Sequence, residues 1–242
     1  MSLRRTAATA QRVLRQLRHD PRTVALLLLV PGVLLALLRG VLAGRPAVFQ
    51  HSGPVLLAIF PFTTLFVVTS VATLRERTSG TLERLLALPL AKGELLGGYA
   101  LAFAAVGLVQ VLLAAALAIG PLGLRTTLPA GVLVGLALAD ALLGMALGLL
   151  VSAFAANEFQ AVQFLPAVVL PQLLLCGLFA PRASMTTALR WLSDVLPLSY
   201  AVDALTRPRG WDGTATVDLV VGVGSTAAAV ALAAVTLRRR TA

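Results

Sequence analysis

Six apolar runs set the pattern of the chain, at 24–44, 55–74, 95–119, 128–154, 161–179 and 217–237. Each is close to the length that crosses about 30 Å of hydrocarbon at about 1.5 Å per residue. They do not alternate apolar and polar residues with period two, so they predict helices rather than barrel strands. The polar stretches between them have patterns of their own. Leu3, Ala7, Ala10, Leu14 and Leu17 fall on one side of a helix, and Arg4, Arg5, Arg12 and Arg15 on the other. That predicts an amphipathic helix lying in the membrane interface, broken at Asp20-Pro21. It is favoured over a targeting presequence because it leads straight into a span.

Two loops are also organised. In 75–94, Leu82, Leu85 and Leu86 make one stripe, Gly80 is placed to cap a short helix, and Pro89 limits it. Arg75, Glu76, Arg77, Glu83 and Arg84 form a charged collar around it. Residue types alone fit a lipid surface and a protein partner equally well. In 180–216, Met185, Leu189, Leu192 and Leu196 repeat at helical spacing up to Pro197. Leu198, Ala201, Val202 and Leu205 then repeat beyond it. Two short helices are predicted there, dipping into the leaflet or capping the bundle, with Trp191, Tyr200 and Trp211 suited to an interface. The fold class is therefore an all-α integral membrane protein: one domain over 1–242, six transmembrane helices, an interfacial helix within 1–20, and short helices in the last loop.

Composition agrees. Mean hydropathy is +0.91, and 12% of the residues are charged, about half the share in a soluble domain. A soluble fold could not hide that much apolar surface. The formal charge is +10, which can signal nucleic acid, but its placement matters more. With both termini inside, thirteen Arg and Lys lie on the inner side and seven on the outer. That is the positive-inside bias, and it places both termini in the cytoplasm. The basic excess then reads as topology and contact with lipid headgroups, with no nucleic-acid partner. One Cys excludes an intrachain disulfide, and the two His give no metal site with it. The lone lysine, Lys92, sits in Ala91-Lys92-Gly93, so the chain has no phosphate-binding loop and no catalytic residues are assigned to it. Heavy use of Arg over Lys and of Ala points to a high-GC bacterium.

Taken in order, the polar segments resemble the membrane subunit of a type 2 ABC exporter. The resemblance is carried by LRQLRHDPRT at 14–23, ERTSGTLERLLALPL at 76–90, NEFQAVQ at 157–163, LFAP at 178–181 and LPLSYAVDAL at 196–205. It covers nearly the whole chain and fits the drug-resistance branch best. It implies that 75–94 is a coupling helix, with Gly80, Thr81, Glu83, Arg84 and Leu85 meeting an ATPase subunit. It marks Pro197, Tyr200 and Asp203 as a candidate outer gate. It also implies a pair of ATPase chains holding ATP and magnesium, with no cofactor in this chain, and a second permease chain. The expected function is export of an amphipathic or hydrophobic substrate (a drug, a lipid or a lipid-linked glycan) across the cytoplasmic membrane. The alternatives are an intramembrane lipid-modifying enzyme and a passive channel or assembly factor.

Single residues add detail. Asp140 falls in mid-span, where a carboxylate costs about 2.5–3.5 kcal/mol to insert. A hydrogen bond within the bundle is favoured for it over contact with substrate. Gly144 and Gly148 share its face and permit close helix contact. Gly131 and Gly135 make the same motif on the opposite face. Glu158 is read as facing water rather than an ATPase, Arg39 as snorkelling outward, and Cys176 as a buried apolar residue.

Overall fold

The computed structural model describes residues 2–80, 92–126, 128–206 and 213–236, and the regular structure among them is entirely helical. The helices are α1 (Leu3–Arg18), α2 (Pro21–Val41), α3 (Pro46–Thr78), α4 (Lys92–Ile119), α5 (Ala130–Val151), α6 (Glu158–Leu175), α7 (Thr187–Val195), α8 (Pro197–Thr206) and α9 (Gly213–Thr236), with a 3₁₀ turn at Arg182–Ser184. Six of them, α2 to α6 and α9, are long and apolar enough to cross a membrane.

The helix ends follow local chemistry. Asp20 caps α2 by accepting from the Thr23 amide at 3.2 Å and the Thr23 hydroxyl at 2.6 Å, with Pro21 in the first turn. These Thr23 contacts hold the Asp20 carboxyl below its ordinary pKa. α3 is longer than its apolar run at both ends, taking in Pro46–Pro54 and the charged turn Arg75–Thr78. The helix that Gly80 was expected to cap lies outside the described residues, and Gly80 itself closes α3. Its φ of 70° is the left-handed residue that closes a helix C-terminus. α6 stops at Leu175 rather than at Phe179, because Gly177 turns the chain with a φ of 94°. α2 likewise ends at Val41, short of the predicted Gly44.

α3 and α5 form the centre. A Cβ at Gly148 would stand 2.5 Å from the Phe66 carbonyl oxygen, and one at Gly144 would overlap the Phe62 carbonyl. The two glycines thus let α5 lie on the backbone of α3. The second glycine pair is different: nothing lies within 4 Å of a Cβ built at Gly131 or Gly135. α4 packs beside this pair, α2 and α6 flank α3, and α9 lies against α5.

α1 packs on the bundle through part of its predicted stripe, with Ala10 buried and Leu14 and Leu17 partly buried against the core. It docks on α4 through Thr9, Ala10 and Val13, which are buried, while Leu3 and Ala7 of the predicted stripe are exposed. Gly98 permits the approach, since a Cβ there would be 2.5 Å from Thr9 Cβ. The residues that choose the docked face are polar: Glu94 accepts from the Ser2 amide at 2.6 Å, and Arg12 reaches Glu76. Apolar periodicity alone does not see them.

Candidate functional site

A cavity of about 630 Å³ opens between α1, α2 and α3, with Tyr99 and Phe103 of α4 and Leu165 of α6 completing its lining. Its volume lies in the range that holds a drug-sized molecule. Valine and leucine side chains of α1, α2 and α3 form most of its wall. Its charged lining, Asp20, Arg75 and Glu76, is gathered at the α1 end, and Thr63 and Thr64 supply hydroxyls deeper in.

The α1 end is held by ion pairs. Arg12 meets Glu76 through two contacts, at 3.0 and 3.2 Å, and donates to the Tyr99 hydroxyl at 3.0 Å. Arg75 makes a two-point pair with Glu158 at 2.7 and 3.0 Å. Arg77 donates to the Ser152 carbonyl. The end of α3 is therefore tied to the turn between α5 and α6 by Glu158, which is half exposed to water.

Behind the cavity lies an uncharged polar joint. Pro31 has no N–H, so the Leu27 carbonyl loses its helical donor. Gln110 Nε2 of α4 donates to that carbonyl at 2.6 Å and to Thr64 Oγ1 at 2.6 Å. One side chain thereby joins α2, α3 and α4 inside the membrane.

At the opposite end, Arg182 donates to Asp194 of α7 and Asp203 of α8. Its guanidinium also lies 5.7 Å from the centre of the Tyr200 ring. Tyr200 donates to the Asp194 carbonyl at 2.7 Å, and Ser193 donates to the Leu175 carbonyl at 2.8 Å. Arg182→Met is expected to leave two carboxylates facing each other and to free α7. Because Asp194 and Asp203 are partly exposed, solvent screens much of the effect. The expected result is several-fold faster proteolysis of 176–196 with unchanged helix content. Unaltered cleavage would show that the arginine does not hold the cap.

These elements form one unit: a bundle with a docked amphipathic helix, a cavity at that helix, and a cap of short helices at the other end. The family model of the ABC-2 type transporter matches residues 4–207, a stretch that takes in α1 to α8. The chain belongs to this family. No curated protein matches it. The protein is thus a multi-pass ABC transporter permease subunit rather than the ATPase, and its family implies a partner ATPase.

Of the positions the sequence singled out in this ABC-2 permease, Tyr200 and Asp203 come together around Arg182. Pro197 opens α8 and lines a small cavity with Asp140. Thr81, Glu83, Arg84 and Leu85 lie outside the described residues, as does Trp211. Asp140 does not have the hydrogen bond expected of it: neither carboxylate oxygen has a partner. Arg39, near the end of α2, reaches the turn after α4, where it donates to the Leu122 carbonyl at 3.3 Å beside the Phe49 ring. Cys176 is buried as expected. Sequence reading missed Arg182, Asp194, Gln110 and the Arg12–Glu76–Tyr99 contacts. Only Gln110 had a local signal, since Pro31 advertises an orphaned carbonyl one turn before it.

Proposed function

We propose that this permease exports an amphipathic or hydrophobic substrate across the cytoplasmic membrane, driven by a separate pair of ATPase subunits that hold ATP and magnesium. The observation that carries this reading is the cavity at the α1 end. Its apolar wall suits a hydrocarbon-rich body, while Arg75, Glu76 and Asp20 at its mouth suit a polar group kept near water. The drug-resistance branch, a second permease chain and cytoplasmic termini belong to the same reading, the last supported by the inner excess of Arg and Lys.

Residues 80–91 leave directly from α3, the helix that walls the cavity and carries the glycine-packed contact with α5. Gly80, Thr81, Glu83, Arg84 and Leu85 are assigned to the ATPase contact. A short helix seated in the ATPase would pass its rigid-body motion along α3 and change access to the cavity. Pro197, Tyr200 and Asp203 are assigned to the outer gate, with α7 and α8 moving as the Arg182 cluster opens.

The test is reconstitution in liposomes with the partner ATPase and a fluorescent amphipathic cargo. Glu83→Ala and Leu85→Asp are expected to abolish ATP-driven transport while leaving the permease folded, as judged by its melting temperature. Normal transport by both variants would remove the coupling assignment. ATP-driven transport that fails for every amphipathic cargo tried but succeeds for a small ion would remove the substrate class.

A further inference from the structure

The first 22 residues carry six arginines, and the fold divides them into two sets. Arg5 and Arg12 turn to the bundle, where Arg5 stands 3.8 Å from Glu94 and Arg12 pairs with Glu76 at 3.0 Å. Arg4, Arg15, Arg18 and Arg22 are exposed and form no ion pair among the described residues. At helical spacing, Arg4, Arg15 and Arg18 fall on the side of α1 away from its buried Thr9 and Val13. Arg15 and Arg18 are neighbours one turn apart, while Arg4 lies about 16 Å further along the axis. Arg22 stands in the first turn of α2, just past the break at Asp20-Pro21. Asp20 is the only carboxylate among the first 75 residues, and it is turned to Thr23 as the cap of α2. Arg15, Arg18 and Arg22 thus put three like charges at the elbow between α1 and α2, an arrangement that costs stability until an anion offsets it.

What continues below the elbow selects the anion. Down α2 from Arg22, Leu26, Leu29 and Val33 recur at i+4, i+7 and i+11 on the same face. All three are more than half exposed. From Arg22 to Val33 the helix rises about 16 Å, close to one leaflet of the hydrocarbon core. On α1, the exposed Leu3 and Ala7 flank the Arg18 side, so that side also meets an apolar medium. The elbow arginines therefore stand at headgroup depth, above an apolar track one leaflet long. A nucleic acid or an acidic protein would match the charge but leave the track uncovered. A phospholipid of net negative charge matches both, with a phosphate for the guanidinium forks and a chain of the right length.

We propose that Arg15, Arg18 and Arg22 hold the phosphate of an anionic phospholipid whose acyl chain lies along Leu26, Leu29 and Val33. Leu17, Asp20, Thr23 and Leu26 also line the large cavity, so the bound lipid braces the elbow at the rim of that cavity and keeps α1 seated. The site is narrower than the general inner excess of basic residues, since Arg5 and Arg12 have no part in it. It holds whatever cargo the permease exports.

The test is the melting temperature of the purified full-length permease in an uncharged detergent, with palmitoyl-oleoyl phosphatidylglycerol or with the phosphatidylcholine of the same chains. Phosphatidylglycerol at ten times its dissociation constant is expected to raise it by about 4 °C, and phosphatidylcholine by less than about 1 °C. Combining Arg15→Gln, Arg18→Gln and Arg22→Gln is expected to weaken phosphatidylglycerol binding about tenfold. The control combines Arg45→Gln, Arg125→Gln and Arg190→Gln, exposed arginines at the other end of the bundle. It removes the same charge and is expected to bind like wild type. Equal stabilisation by the two lipids overturns the anionic partner. A wild-type response in the elbow variant, or an equal loss in the control, overturns the site. Inorganic phosphate or a short single-stranded DNA that matches phosphatidylglycerol removes the acyl chain and overturns the lipid. No response to either lipid rejects the proposal, and a dimeric permease would then give the α2 face to a second copy. If the triple elbow variant fails to fold, Arg18→Gln combined with Arg22→Gln decides by the same comparison.

Discussion

Gly144→Ala is expected to lower stability by about 3 kcal/mol, at or above the top of the usual range for overpacking. A core normally absorbs an extra methyl group by letting a side chain rotate. Here the new Cβ would meet backbone: it overlaps the Phe62 carbonyl oxygen and would stand 2.9 Å from the carbonyl carbon and 3.0 Å from the Cα. A backbone atom can give way only if the helix moves, and α3 is gripped from α4, α6 and α8 as well. Gly148→Ala meets the Phe66 backbone in the same way and is expected to behave alike. Gly131→Ala and Gly135→Ala are the controls. Nothing lies near either position, and alanine is the better helix former by up to about 1 kcal/mol, so these two are expected to be neutral or mildly stabilising. The measurement is the melting temperature of the purified permease in detergent. Equal tolerance at all four positions would show that α5 does not lie on α3 as described.

The contrast between those glycine pairs separates what the sequence exposes from what it hides. Both motifs read alike as spacing, and only the packing tells that one is a contact and the other is open. The spans are visible because crossing hydrocarbon demands a length and a composition that no other segment needs. The division of the last loop at Pro197 is visible for the same kind of reason, and α8 buries Leu198, Val202 and Leu205 of the predicted stripe. The ends of α3 are hidden because Gln50, His51, Arg75 and Arg77 continue the helix without being apolar. The part of the docked face of α1 outside the predicted stripe, Thr9 and Val13, is hidden because Glu76 and Glu94, far along the chain, help to set it. The Arg182 cluster is hidden because its partners lie 12 and 21 residues away, separations with no periodic signature. The candidate sites follow the same rule. A lone acid in a span is conspicuous, but the small cavity that Asp140 shares with Asp218 comes from two helices meeting, which spacing along one chain does not encode.

Gln110→Leu is expected to cost about 1–2 kcal/mol, and less than half of that in a Pro31→Ala background. The reason is a single carbonyl. In wild type the Leu27 oxygen has no helical donor because residue 31 is proline, and the Gln110 amide supplies one at 2.6 Å. Leucine at 110 fills the space but leaves that oxygen bare in a medium with no water to replace the bond. The penalty is tempered because the Gln110 side-chain oxygen is itself unpartnered, and leucine removes that defect. Alanine at 31 restores the missing N–H, so Leu27 no longer depends on Gln110. What remains is the second bond, to Thr64 Oγ1, a hydroxyl that also lines the large cavity. Melting temperatures of the wild type, the two single variants and the double variant give the coupling directly, expected at about 1 kcal/mol. Identical penalties for Gln110→Leu in the two backgrounds would mean that the glutamine is not answering the proline. Because Gln110 also fixes Thr64, the single variant is expected to weaken binding of an amphipathic ligand to the cavity, and Pro31→Ala alone is not.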